Sequence, residues 1–458
     1  MIRTDNTVSD LQIAYIGGGS KGWAWGLMSD LATDKQLSGH IRLYDIDHNA
    51  AKANETIGNQ LTASDPTLAK WKYSMATSLQ EALTGADFVI ISILPGTFDH
   101  MEIDVHHPEK YGIYQSVGDT AGPGGLMRAL RTIPMFETIA NAIKDYSPNA
   151  WVLNYTNPMT ICTRTLYRVF PQIKAFGNCH EVFGTQKLLV EALADIKGIT
   201  DVAREDIKVS VTGINHFTWL TSASYKDIDL FPVYRDFVTK YYESGYEGKK
   251  TGNWLNDFFS SAQRIKFDLF LRYGSIAAAG DRHLAEFCPN KWYLKDPETI
   301  QSWKFSLTPV SWRKENEQDR IQQSNDLVAG KKPFEIKETG EEGVLQMKAL
   351  LGLKDLATNV NLPNQGQVPY LPTDVVVESN AMLRYNSICP INGGQPNPAV
   401  TSMISTHSSN QEMIVEAGLT RNRELAFQAF LNDPLVNLSL DDAKACFDYM
   451  YDRVASID

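Results

Sequence analysis

The chain lacks any apolar run approaching 18 residues, which excludes a membrane-spanning helix on length. It also lacks an excess of positive charge: 43 basic side chains stand against 54 acidic ones, a formal charge of -11. Nucleic acids and anionic membranes need a basic field, so neither is expected as a partner. Cysteine is scarce and odd in number. The five, Cys162, Cys179, Cys288, Cys389 and Cys446, are widely scattered, which argues against a disulfide framework and for reduced thiols. The opening MIRTDNTVSD is polar and has no signal-peptide core, so a cytoplasmic protein is expected. Internal repeats and low-complexity linkers are missing too. What is present is an ordinary globular composition, 43% hydrophobic and 21% charged over 458 residues, enough for two or three domains.

The first half alternates short apolar runs with helical patterns. LQIAYIG, HIRLYDI, DFVIISI, AWVLNY, IKAFGN and IKVSVTGI read as strands. Helices are predicted between them, roughly over 20–34, 48–62, 78–85, 125–146, 157–169 and 181–196. Near-continuous apolar strands separated by helices predict an α/β fold with a Rossmann-like, doubly wound parallel sheet covered on both faces. From about residue 200 the regularity fades. KYYESGYEGKKTGNWLND reads as loops or surface helices, AQRIKFDLFLRYGSIA as an amphipathic helix and VLQMKALLGL as another helix. PYLPTDVVVES contains a strand, and the stretch from Ser408 to Val454 reads as helices packed on the core. An intimately packed α+β C-terminal domain is expected. The division is set at residue 198: 1–198 bind a dinucleotide, and 199–458 carry substrate, metal and oligomer contacts.

IAYIGGGSKGWAWG is an apolar strand that breaks into glycines and resumes as a helix. Gly17, Gly19 and Gly22 fit the G-x-G-x-x-G pattern, with Ser20 inside the loop. Such glycines let the backbone approach a pyrophosphate resting on the helix N-terminus. Asp45 ends the second strand, where a carboxylate holds a ribose hydroxyl and repels a 2′-phosphate. NAD is therefore expected over NADP. Asp47 reads as solvated.

Four further polar clusters follow strands. SVGDTAGPGG is a tight loop whose centre is Asp119, read either as a turn or cap residue or as a carboxylate in the ligand crevice. NYTNP carries Asn154, expected to contact ligand, and Asn157, either a ligand contact or the N-cap of the next helix. GNCHEVFG places Cys179, His180 and Glu181 in a row; Cys-His is a metal or nucleophile pair by type. GINHFTW ends a strand at Asn215 and His216. A lone histidine beside aromatics is usually a core residue, but several strands here end in Asn, Cys or His at one sheet edge. If Cys179 and His216 converge, they form half of a divalent metal site suited to Mn, Fe, Co, Ni or Zn.

IGGGS, LYDID, GDTAGPGG, NYTNPM, CHEVFG and GINHFTW, in this order, together resemble glycoside hydrolase family 4. The later NLPNQGQVPYLPTDVVVE, Asn361 to Glu378, is similar to the family as well. ISILPGTFDHMEIDVHHPEKYGIYQSVGDTAGPGG and AAAGDRHLAEF resemble the branch that cleaves alpha-galacturonides, with alpha-galactosidases and alpha-glucuronidases as near relatives. The resemblance implies a C-terminal domain like that of lactate and malate dehydrogenases, and NAD and Mn²⁺, or another divalent transition metal, as cofactors. It implies a hydrolysis in four parts: oxidation at C3 of the sugar, removal of the C2 proton, elimination of the C1 substituent, and water addition with return of the hydride. It assigns Cys179 and His216 to the metal, Asp281 to the C2 base, His180 to the leaving-group acid or the sugar, and His283 to sugar or metal. Asp119 and Asn154 become sugar or nicotinamide-ribose contacts. Asp281 also reads as a loop carboxylate paired with Arg282.

A uronic acid needs a cationic partner, and a guanidinium suits a carboxylate. Arg128, Arg131 and Arg282 lie near the motifs; Arg128 and Arg131 share a helix face, which is open to solvation or to NAD phosphates. Two other readings stand beside the glycosidase. A malate-type 2-hydroxy-acid dehydrogenase has no use for a metal-binding thiolate. A nucleotide-sensing scaffold would bind NAD without turnover. A homodimer or homotetramer is expected from the fold.

Overall fold

The computed structural model describes residues 1–248, 261–337 and 339–455. The amide and carbonyl groups of six segments are satisfied in one parallel sheet. Across it the strands run Lys174–Gly177, Trp151–Asn154, Phe88–Ile91, Val8–Ile16, Leu37–Tyr44 and Trp71–Ala76. The chain builds outward from Val8–Ile16 in one direction, then returns to its other side with Phe88–Ile91. The order therefore reverses between those two strands, and a crevice opens beyond their C-terminal ends. The glycine loop leaves Ile16 into that crevice, and the connections after Ile91, Asn154 and Gly177 emerge at the same edge.

Two elements of this half went unread. The edge strand Trp71–Ala76 is only half buried along its length, so its sequence shows no apolar run. The helix Phe98–His106 buries only Met101, Asp104 and Val105.

The C-terminal half extends the same sheet. Leu356–Pro363 pairs antiparallel with Lys174–Gly177 through Asn361 and Gly177, and Val376–Arg384 and Ser387–Pro390 follow outward. A Cβ on Gly177 would lie 2.7 Å from Met159 and 2.9 Å from Asn361, so glycine permits the close approach at this join.

A second, antiparallel sheet is built on the hairpin Ile207–Ile214 and Phe217–Tyr225, with Ile276–Ala277 on its other side. The hairpin turns through only Asn215 and His216, and His216 adopts φ 63. The helix Arg264–Tyr273 forms where the periodicity predicts one, and it is buried more deeply than a surface helix: Ile265 through Phe270 are all buried. Its polar residues are satisfied inside, Lys266 donating to the Thr185 hydroxyl at 3.0 Å and Asp268 accepting from the Tyr293 hydroxyl at 2.6 Å. Part of KYYESGYEGKKTGNWLND lies outside the described residues.

The helices Pro398–Thr420, Arg423–Leu431 and Leu440–Val454 pack on the long helix Gly122–Tyr146, joining Met127 and Ile133 to Val415, Phe430 and Phe447. Among the described residues no helix is long and apolar enough to cross a membrane.

Candidate active site

The glycine turn is held by backbone and by one acid. Gly17 and Gly18 both donate to the Tyr44 carbonyl at 2.9 Å. Gly17 sits at φ 91, and a Cβ there would lie 1.9 Å from the Ser92 carbonyl oxygen, so only glycine lets the turn press against the neighbouring strand end. Asp45 accepts the Gly19 N–H at 2.8 Å and the Asp47 N–H at 3.0 Å. The Ser20 hydroxyl accepts the Trp23 N–H at 3.2 Å, and Gly22 is the N-cap of the helix Trp23–Thr33. Asp47 does more than face solvent: it caps His48–Ser64 by accepting the Asn49 and Ala50 N–H groups at 3.0 and 3.1 Å.

Asn54 was missed in the sequence. Fully buried on the same helix, it donates to the Gly18 and Ser20 carbonyls at 2.8 and 2.9 Å and accepts the Trp25 indole N–H at 2.8 Å. Its signal was an amide on the apolar face of an amphipathic helix.

Beyond the strand ends three side chains from three elements converge. Asp119 comes from the loop before Gly122–Tyr146, His216 from the hairpin tip, and His283 from the short helix Asp281–Glu286. Their ligand atoms all lie within 4.8 Å of one another. Thr120 donates its hydroxyl to Asp119 at 2.7 Å and lies 3.0 Å from His216 Nδ1. Glu181, at the start of the helix Glu181–Lys197, accepts the Gly280 N–H at 2.7 Å and stands 3.9 Å from His283 Nε2.

The electrostatics keep this cluster ready for a cation. Burial pushes His216 down to about 3, helped by the neighbouring His283, and burial lowers His283 as well. Both rings are neutral near pH 7 and so keep a lone pair. Burial would raise Asp119, but the Arg128 guanidinium, His283 and His216 outweigh it and hold the carboxyl at about 2. Glu181 is likewise held at about 2, its burial outweighed by His283 and His180. His283 Nδ1 is buried without a hydrogen-bond partner. Two imidazoles and a carboxylate suit a divalent transition metal, and the unsatisfied ring nitrogen fits that use.

Cys179 is placed beside this group and outside it. Its thiol is pushed well up by burial and by Glu378 and Glu181, with the Asn215 amide, next to His216, as a neighbour. Glu378 braces the pair by accepting from Asn215 at 3.1 Å and Asn359 at 2.7 Å.

The other expected residues divide. Asn157 Oδ1 is buried with no partner, so it has an acceptor to offer a ligand. Asn154 is spent on its own turn, accepting the Thr156 N–H at 3.0 Å and donating to the Thr156 carbonyl at 3.2 Å. Asp281 is fully buried and accepts the Ile265 and Lys266 N–H groups at 3.2 and 3.1 Å, so it caps the helix Arg264–Tyr273. His180 is ion-paired with Glu341 at 2.8 Å; burial alone would lower it, but Glu341 lifts it to about 9. Sequence reading did not bring Glu341 to this place, because its separation along the chain leaves no local signal.

The arginines also divide. Arg128 donates to the Asn157 carbonyl at 3.0 Å beside Asp119. Arg131, one turn later, is buried in a pair with Asp104 and donates to the Pro95 and Val454 carbonyls, both at 3.0 Å. Arg282 donates to the Ser306 carbonyl at 2.9 Å and the Ser116 carbonyl at 2.5 Å. Glu286 clamps the same loop from below, accepting the Val117 and Gly118 N–H groups at 2.7 and 2.8 Å. Arg313, on the helix Val310–Val328, lies within electrostatic reach of Asp119 and Arg128.

Comparison with known proteins places this geometry in a family. An alpha-galacturonidase of Thermoanaerobacterium saccharolyticum is 62% identical over 450 residues, 98% of this chain and 97% of that protein. The crystal structure of lplD from Bacillus subtilis is 53% identical, with a TM-score of 0.91 over 97% of this chain and 100% of that one. A 6-phospho-alpha-glucosidase from gut microorganisms, solved in complex with NAD and Mn²⁺, shares the fold at 18% identity, with a TM-score of 0.78 over 97% of this chain and 98% of that one. The profile of the family 4 glycosyl hydrolases matches residues 12–195, and that of their C-terminal domain matches residues 211–436. The chain therefore belongs to glycosyl hydrolase family 4.

Proposed function

We propose that the protein hydrolyses alpha-galacturonides, such as the ends of pectic oligosaccharides, with NAD and Mn²⁺ as cofactors. The observation that carries the substrate is the 62% identity, over nearly the full length of both chains, to a protein named for that activity. When bound, NAD supplies a reversible oxidation at C3 of the sugar and the metal supplies Lewis-acid stabilisation of the charge left by C2 deprotonation.

The chain's own residues divide the remaining work. The Gly17–Gly22 turn and Asp45, braced by Asn54, hold the dinucleotide. His216, His283 and Asp119 would hold the metal, with the neighbouring Cys179 as a further candidate ligand in its thiolate form. Asn157 and Arg128 orient the sugar. His180, kept protonated by Glu341, donates the proton to the leaving oxygen. Asp281 takes the C2 proton in the reading by resemblance; its capping bonds favour a positioning role, fixing the turn that presents His283. A dimer or tetramer is part of this reading and is checked by light scattering. A cytoplasmic location belongs to it too, because Cys179 must stay reduced.

The deciding experiment measures galacturonate released from alpha-1,4-digalacturonate with NAD, Mn²⁺ and a reducing agent, each then omitted in turn. Release that needs both cofactors, without accumulation of NADH, is expected. Release from the matching galactoside alone would move the protein to a neutral sugar. Steady NAD reduction by malate or lactate would return it to the dehydrogenase reading.

A further inference from the structure

We propose that Thr120 is a positioning residue of the metal cluster: its hydroxyl accepts the Nδ1 proton of His216 and thereby keeps the Nε2 lone pair for the cation. This rests on the reading above, that His216 is one of the residues holding the metal.

The inference follows from counting protons. A threonine hydroxyl has one proton to give and two lone pairs with which to accept. Two neighbours could take that proton. Asp119 Oδ1 lies 2.7 Å from the Thr120 hydroxyl oxygen, and His216 Nδ1 lies 3.0 Å from it. The carboxylate oxygen is both the nearer and the stronger acceptor, so the hydroxyl donates to Asp119. Towards His216 only its lone pairs remain. At 3.0 Å two acceptors with no proton between them would repel, so the proton of this contact sits on His216 Nδ1. A neutral imidazole carries one N–H. Its Nε2 is then the bare nitrogen, the form a cation binds.

The hydroxyl is built into its place. Thr120 is buried, and its branched side chain has few rotamers of its own. The loop around it is fixed: Gly122 donates its N–H to Asp433 at 3.0 Å and Gly124 donates to Gln115 Oε1 at 2.8 Å. A Cβ on Gly125 would lie 2.5 Å from the Thr120 carbonyl carbon, so the first turn of the helix Gly122–Tyr146 packs directly against Thr120. His216 is gripped at its edge by this hydroxyl and on its face by the His283 ring. His283 differs: its Nδ1 is buried with no hydrogen-bond partner among the described residues. Of the two rings, His216 is the one whose proton the fold assigns, by the kind of outer hydrogen bond that orients a metal-binding histidine.

The test has two parts, both on the full chain. Protein labelled with ¹⁵N-histidine and stripped of metal reports the tautomer through long-range ¹H–¹⁵N correlations, the His216 signals being identified by their loss in His216→Gln. A proton on Nδ1 is expected; a proton on Nε2 overturns the assignment. Calorimetry with Mn²⁺ then compares wild type, Thr120→Val and Thr120→Ser. Thr120→Val keeps the shape without the hydroxyl and should weaken Mn²⁺ binding by about 10- to 100-fold. Thr120→Ser keeps the hydroxyl and should stay within about threefold of wild type. NAD binding should not move in either. Equal losses in the two variants, or wild-type affinity in both, overturn the assignment and leave the metal reading standing. The tautomer measurement needs no change at Thr120 and carries the test if the valine variant does not fold. A wild type that binds no Mn²⁺ overturns the metal reading and the assignment with it.

Discussion

The imidazole rings of His216 and His283 stack with centroids 3.8 Å apart and planes 30° from parallel. One ring stands on a two-residue hairpin tip held at φ 63, the other on a short helix braced from beneath by Asp281. Two positive imidazoles could not share that spacing in a buried site, and burial lowers both rings, so both are neutral near pH 7. A bulky non-glycine residue at positive φ is costly, and here that conformation turns the His216 side chain towards its partner.

The first consequence concerns metal. His216→Ala and His283→Ala should each weaken Mn²⁺ binding by about 10- to 100-fold or more while leaving NAD binding intact. Titration calorimetry with Mn²⁺ checks this. Cys179→Ser should also abolish metal-dependent turnover; full activity in that variant would remove the thiol from the site.

Asn54 offers a test of the nucleotide loop that touches no ligand. Asn54→Leu removes two bonds to loop carbonyls and the acceptor of the Trp25 indole. Leaving those groups unsatisfied costs about 1–3 kcal/mol. We expect NAD affinity to fall about tenfold with the Mn²⁺ affinity unchanged; equal losses in both would mean general unfolding instead.

Asp281 separates a base from a brace. Asp281→Asn keeps the shape but weakens the cap on Arg264–Tyr273 and removes the charge beside buried Lys266. A bracing role predicts a loss of about 1–3 kcal/mol in urea unfolding, the scale for weakening hydrogen bonds to a buried charged group. A fall in kcat of two decades or more with an unchanged melting temperature would identify a base.

His407 predicts how stability responds to acid. Its ring lies 2.8 Å from the Phe287 carbonyl among Phe217 and Phe287, and burial lowers it to about 4. The folded state disfavours the proton that the unfolded chain takes up near pH 6.5. The stability from this group is therefore full above pH 6.5 and is lost as pH falls towards 4, by about 3 kcal/mol in all. In His407→Gln that part of the acid slope should vanish, as measured by urea unfolding between pH 7 and 4.5.

How far the sequence carried this follows from where the signals sit. Val8–Ile16 and Phe88–Ile91 were legible because strands buried on both faces are almost purely apolar. The glycine turn and the Asp, Asn, Cys and His at strand ends were legible because each motif is local. Trp71–Ala76 was not, since an edge strand mixes polar with apolar residues. Leu356–Pro363 was not read as a strand, because its partner lies in the other half of the chain. The bonds that immobilise Asp281 and Asn154, and the pairing of His180 with Glu341, are tertiary facts without a local pattern.

The antiparallel join of Asn361 to Gly177 has a mechanical outcome. Because the sheet runs without interruption from the nucleotide side into strands of the C-terminal half, the two halves share one backbone ladder and cannot swing apart as separate bodies without breaking it. The distance from the nicotinamide crevice to the metal cluster is then set like a ruled length in a frame. Access for a sugar must come from loops at the rim, and heat should melt the frame in a single cooperative step.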